Sequence, residues 1–159
     1  MNTKTKKLST VSMVLCGMFA ALVAIGAFIQ IPVPYMDYFT LQFFFVLLAG
    51  LILGADKGAI SVGCYVLLGL VGVPIFAAGG GIGYIFRPSF GYLVGFIVSA
   101  YVTGKVCEKL KASYKNYLLA CLAGFVVTYA IGIVYKFIIL NFYAHTPATL
   151  GVIFLSCFP

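Results

Sequence analysis

From Tyr117 to Leu140 the chain carries no acidic residue and only one formal charge, Lys136. A helix over that stretch, rising about 1.5 Å per residue, is long enough to cross the ~30 Å hydrocarbon core of a bilayer. Other apolar runs share its character, and the spacing predicts spans at 8–29, 41–54, 58–77, 90–107 and 117–140. The run 41–54, at about 14 residues, is short for a complete crossing. A sixth run, 148–159, covers about 18 Å and is read as an incomplete helix. Composition agrees: 8% of the residues are charged, against about 25% in ordinary soluble domains. A chain of 159 residues has too much surface to hide so much apolar area from water. The expectation is an all-α integral membrane protein, one domain over 1–159.

The sparse charges orient it. With the N-terminus in the cytoplasm, Lys4, Lys6, Lys7, Lys57, Lys105, Lys109, Lys111 and Lys115 all fall inside, eight of the ten basic residues. Arg87 falls in an external loop and Lys136 toward the outer end of the fifth span. Cytoplasmic enrichment in lysine and arginine is the rule for multi-pass proteins, which places the chain in the cell membrane with its N-terminus cytoplasmic. The net charge of +7 is then a topology signal. Its cations sit on separate turns, which argues against nucleic acid as a partner.

Several chemistries are poorly supplied. Three acidic residues leave little for paired-carboxylate catalysis, and a single histidine, His145, cannot build a histidine metal cluster. The five cysteines form no C-x-x-C pair and read as small hydrophobic residues in helices. The glycine-rich GGGIGYIF fails the dinucleotide spacing, because Tyr84 and Phe86 stand where the third glycine is required, and no Walker-type lysine motif occurs. The chain reads as a binding or transport component, not an enzyme, with no metal and no cofactor. A transporter without a nucleotide site must borrow its energy source.

Two predicted external loops concentrate unusual residues, one over 31–40 and the other over 78–89. Tyr35, Tyr38, Phe39, Phe76, Tyr84 and Phe86 gather there with Arg87, the chain's one arginine. Interfacial aromatics commonly form a lipid-facing belt, and an external arginine can simply snorkel. Glycines at 79, 80, 81 and 83 allow backbone to approach a ligand closely, and irregular backbone near a membrane is tolerated where it lines a cavity. The sharper expectation is a capped cavity with Arg87 as its anion anchor. In the first span, Gly17 and Ala21, and likewise Ala20 and Ala24, are four apart. That spacing suits close helix packing, either within the bundle or against a partner subunit.

The ordered set TLQ at Thr40, LAGLILG, YVLLGLVGVPIF and GGGIGYIFRPSFGYLVGF, preceded by IPVP and followed by the Gly104–Lys105 pair, closely resembles the BioY family. These are the biotin-binding S components of energy-coupling-factor (ECF) transporters. The resemblance implies a six-helix S-component bundle with an outward-facing pocket, its sixth helix truncated in this chain. It also implies partnership with a coupling transmembrane subunit and two ATP-binding cassette ATPases, and docking through Gly17, Ala20, Ala21 and Ala24. Against biotin, Arg87 suits the carboxylate as a bidentate fork, and Gln42 suits the ureido group as donor and acceptor. Phe76, Tyr84 and Tyr35 supply an apolar wall, with Gly80 and Gly81 permitting close packing. Lys136 is the rival cation, with outward snorkelling as the cheaper reading, and Asn141 reads as a cap near the loop. The family pattern continues past the position of Pro159 with an acidic residue and a lysine of the substrate site, neither of which this chain contains. Another vitamin, such as thiamine or riboflavin, or a scaffold role without any ligand, are the alternative functions.

Overall fold

The computed structural model describes residues 9–31, 39–143, 151 and 153. Within them the chain forms five α-helices: α1 (Thr10–Phe28), α2 (Gln42–Leu53), α3 (Ala55–Val71), α4 (Phe90–Lys109) and α5 (Tyr114–Ile138). A two-residue ladder, β1 (Gln30–Ile31) with β2 (Phe39–Thr40), closes the α1–α2 connection in antiparallel register, Gln30 opposite Thr40. Beyond α5 the helix widens into a π turn over Ile139–Tyr143. Three helical stretches are long and apolar enough to cross a membrane: Thr10–Phe28, Phe90–Lys109 and Tyr114–Phe142. Apolar side chains also cover the outside, as at Val11, Val14, Met18 and Ile25 of α1. A helix apolar on its outer face is stable only where the surroundings are lipid or protein.

The tightest helix pair follows from a small-residue pattern. The buried positions of α5 are Ala120, Gly124, Thr128, Gly132 and Lys136, each four residues apart. Along α4 the facing row is Gly91, Gly95, Ser99 and Thr103. Rows of small residues at this spacing let backbones approach in lipid, where dispersion contacts supply the association energy. A Cβ at Gly95 would meet the Thr128 backbone, and one at Gly124 would meet the hydroxyls of Thr103 and Ser99. Those hydroxyls are themselves satisfied across the seam, Ser99 Oγ donating to Gly124 O at 3.0 Å and Thr103 Oγ1 to Ala120 O at 3.3 Å.

Helix α2, only twelve residues long, spans about 18 Å and is held among α1, α3 and α4. Its Gly50 backs onto Ala100 of α4 and onto Gly58 of α3. At its start, Gly26 of α1 packs against the backbone of Gln42, which fixes where that glutamine enters the bundle. Val23, Val46, Ala49, Val62 and Tyr65 form the heart of the core. On the α2–α3 turn, Ala55 N–H donates to Glu108 Oε1 at 3.0 Å, so a carboxylate from α4 caps α3 and complements its dipole. Lys105 steadies that carboxylate at 3.4 Å.

Three sequence boundaries are corrected. The third span, expected over 58–77, begins at Ala55 and stops at Val71. Gly72 there takes a left-handed conformation, φ 119°, and Pro74 follows, a pairing that ends helices. The fifth begins at Tyr114, three residues earlier than expected. Of the predicted sixth span, 148–159, only the helical Gly151 and Ile153 are described, and the remainder lies outside the described residues.

Candidate functional site

The early end of α3 is what builds the site. Released from helix at Gly72, the chain turns back, and Phe76 bridges Gly79 through two backbone hydrogen bonds of 2.9 and 3.2 Å. Gly81, at φ 101°, then donates its N–H to Gly69 O of α3 at 2.7 Å. That dihedral is open to glycine and strained for other residues. Gly80 passes so close to the Val73 carbonyl that a Cβ would collide with it. The loop is thereby stitched onto the end of α3, and the Phe76 ring lies directly over Gly69. A short 3₁₀ helix over Ile82–Phe86 delivers Arg87, whose carbonyl accepts from Phe90 N at the start of α4.

Three of the sequence-predicted residues, Phe76, Tyr84 and Arg87, form one line of contacts. Phe76, 1% exposed, stacks on Tyr84 with ring centroids 4.6 Å apart. The Arg87 guanidinium carbon lies 5.4 Å from the Tyr84 ring centroid, a cation–π distance, while Arg87 itself remains exposed. At the other end Phe76 meets Tyr65 of α3 edge-on, at 5.6 Å. Gln42 is 3% exposed at the head of α2, and its Nε2 completes no hydrogen bond among the described residues. A buried amide donor without a partner is costly, by roughly 1–3 kcal/mol, and marks a place where a ligand acceptor would be gained at little expense. The arrangement offers a guanidinium beside a pair of packed aromatic rings, together with a buried neutral amide at the head of α2.

The first external segment is joined to this line. Gln30 Nε2 donates to Ala77 O at 2.8 Å, tying the β1–β2 ladder to the glycine loop. From α5, Tyr135 donates its hydroxyl to Ile85 O. Tyr35 lies outside the described residues. Gly80 and Gly81 lie in the loop beside Phe76, which is where the sequence expectation puts them.

Other candidates separate. On α1, Gly17 and Ala21 are exposed, whereas Ala20 is buried in the chain's own core and Ala24 is half-buried. The two small-residue pairs therefore face different ways. Lys136 does not snorkel outward: it is 8% exposed and sits on the α4-facing row of α5. Asn141 donates to Phe137 O at 3.0 Å, a local cap. An apolar groove of about 350 Å³ between α2 and α5, lined by Phe43, Leu47, Leu118 and Phe125 among others, has no polar group to orient a ligand and lies apart from the line of site residues. Tyr65 is the member that sequence reasoning missed. The available signal was a lone tyrosine among valines, leucines and glycines in the middle of a span.

Comparison with known proteins bears on this geometry. The sequence profile of the BioY family matches residues 1–159. The chain belongs to the BioY family. Among its BioY relatives, the probable biotin transporter BioY of Lysinibacillus sphaericus is 42% identical over 154 residues, covering 96% of this chain and 78% of that protein. The biotin transporter BioY of Thermotoga maritima is 45% identical over 130 residues, covering 81% and 73%. In three dimensions the chain resembles the crystal structure of the S-component for biotin from an ECF-type ABC transporter. The TM-score is 0.79 at 25% identity, over 98% of this chain and 82% of that one. BioY proteins are transporter components and not enzymes, and this chain shares their all-helical membrane fold.

Proposed function

We propose that this BioY-family chain is the biotin-binding S component of an ECF transporter, capturing biotin on the outer face of the cell membrane. Arg87 receives the carboxylate, Gln42 the ureido group, and Phe76 and Tyr84 form the apolar wall between them, with Gly80 and Gly81 bringing loop backbone up to the ligand. Tyr35 joins this wall from the first external segment. The observation that carries the reading is the line of contacts from Phe76 through Tyr84 to Arg87, together with the buried Gln42, whose Nε2 has no partner among the described residues. A neutral polar group, an apolar wall and a cation are the three partners that the ureido ring, the apolar bicycle and the carboxylate of biotin require. Uptake is powered by a coupling transmembrane subunit and two ATP-binding cassette ATPases, with the N-terminus cytoplasmic and the outward Gly17–Ala21 pair on the docking face.

The test is equilibrium binding of labelled biotin to the purified chain in detergent, with thiamine and riboflavin as competitors, on the wild type and Arg87→Ala. Saturable binding displaced only by biotin is expected. Arg87→Ala should weaken biotin at least about tenfold, because a charge-assisted hydrogen bond contributes ~1.5–3 kcal/mol, and should leave an uncharged biotin amide nearly unaffected. Equal losses for acid and amide would remove Arg87 from the carboxylate. Displacement by thiamine or riboflavin would reassign the substrate.

A further inference from the structure

We infer that Tyr135 of α5 is a positioning residue of the substrate site, holding the end of the 3₁₀ turn so that Arg87 is presented to the ligand carboxylate. The inference rests on the biotin reading above and deepens it. Hydrogen bonds along this turn run three residues ahead, Tyr84 O accepting from Arg87 N and Arg87 O from Phe90 N, both at 3.0 Å. By the same pattern Ile85 O would accept from residue 88, but that residue is Pro88, which has no N–H to give. The sequence thus denies this carbonyl its local partner. Tyr135 supplies one from another helix, its hydroxyl donating to Ile85 O, where a backbone carbonyl left unpaired would be costly.

Tyr135 is itself placed by α4. A Cβ at Gly91 would collide with the Tyr135 side chain, so the glycine admits the tyrosine, and the Phe90 ring packs against it with centroids 5.8 Å apart. The turn is therefore held at its two ends by different helices. Its beginning is fixed to α3, where Gly81 N–H donates to Gly69 O at 2.7 Å and Tyr84 packs on Phe76. Its end is fixed to α5 by Tyr135, at the carbonyl two residues before Arg87. Losing the Tyr135 hydroxyl frees the end and leaves the beginning, so it disturbs the cation more than the aromatic wall.

The probes are biotin and an uncharged biotin amide, titrated against the wild type, Tyr135→Phe, Arg87→Ala and the double variant. In Tyr135→Phe the ring and its packing are kept, and the ratio of acid to amide affinity should fall about fivefold, the value of roughly one neutral hydrogen bond. Because a ratio of affinities does not depend on how much protein is folded, a partly unfolded variant remains informative. Added to Arg87→Ala, Tyr135→Phe should change the ratio no further. Hydrogen exchange without ligand supplies a second readout: the amides of Arg87 and Phe90 should exchange faster in Tyr135→Phe, and that of Gly81 at the wild-type rate. A Tyr135→Phe ratio equal to that of the wild type, with both ligands weakened alike, would reduce Tyr135 to a packing residue and overturn the inference. So would unchanged exchange at Arg87, or a further fall of the ratio in the double variant, which would mean that the hydroxyl meets the ligand itself. A wild type that binds acid and amide equally, or neither, would instead withdraw the biotin carboxylate reading, and exchange at Arg87 would then decide alone whether Tyr135 holds the turn.

Discussion

Phe76 shows how finely a single residue of the wall is placed. Its ring lies over Gly69 so closely that a Cβ on that glycine would overlap the ring itself. The absence of a side chain at Gly69 lets the end of an aromatic ring come up against the helix backbone. Gly69→Ala must push the ring away, toward Tyr65 and Tyr84, which pack against it at 5.6 and 4.6 Å. Overpacking of this kind costs about 1–3 kcal/mol. The variant should melt at a lower temperature and bind biotin about tenfold or more weakly, since the displaced ring is part of the proposed site. Gly63, on the same helix, has open space where a Cβ would go. Gly63→Ala should therefore leave melting temperature and affinity unchanged or raise stability slightly, since alanine is the better helix former. Parallel melts and biotin titrations decide it; equal behaviour of the two variants would mean the Phe76 ring tolerates displacement.

The elements were legible in the sequence to the degree that their causes are local. Long apolar runs mark α1, α4 and α5, and the row of small residues at every fourth position of α5 is plain in the order of its amino acids. The end of α3 was misplaced by six residues because the run to Ala77 stays apolar, and the Gly72–Pro74 signal was outweighed by hydropathy. Tyr65 was invisible for a different reason, since its contacts are a carbonyl ten residues away and the Phe76 ring beyond the end of its helix. The partition of Ala20 inward and Ala21 outward could not be read from spacing, which makes Gly17–Ala21 and Ala20–Ala24 equivalent. At this scale the α4–α5 seam permits a comparison of forces. Ser99 and Thr103 bond across it, yet interhelical hydrogen bonds in membranes average only about 0.6 kcal/mol. Ser99→Ala should be nearly silent in detergent-unfolding experiments. Gly124→Val puts branched carbon into the space of Thr103, Ser99 and Leu47, and should destabilise by about 1–3 kcal/mol. The reverse order would make the hydroxyls, and not the close backbone approach, the main tie between these helices.

For the whole molecule, the proposed function separates a face that would bind biotin from a face that would dock the coupling subunit. Of the proposed ligand residues, Gln42, Phe76 and Tyr84 are buried, and Arg87, just before α4, is exposed. Exposed residues of α1 lie on the outside of the bundle, where Gly17 has open space around its Cα and Ala21 is exposed between Met18 and Ile25. A large side chain at Ala21 is accommodated by the monomer and obstructs only a neighbour that packs closely there. A large side chain at Ala20 has no such freedom, because Ala20 belongs to the core cluster with Phe19 and Val23. Ala21→Leu and Gly17→Leu should therefore leave biotin binding by the isolated chain unchanged while reducing ATP-driven uptake in cells that supply the coupling subunit and ATPases. Ala20→Leu should impair both, through overpacking of about 1–3 kcal/mol. Binding in detergent, uptake in cells and co-purification with the coupling subunit distinguish these outcomes. If Ala21→Leu and Gly17→Leu bind, co-purify and transport normally, the outward face of α1 is lipid-facing and the coupling subunit must dock elsewhere. If they bind but fail to co-purify, capture of the vitamin and its passage across the membrane use separate surfaces of the chain.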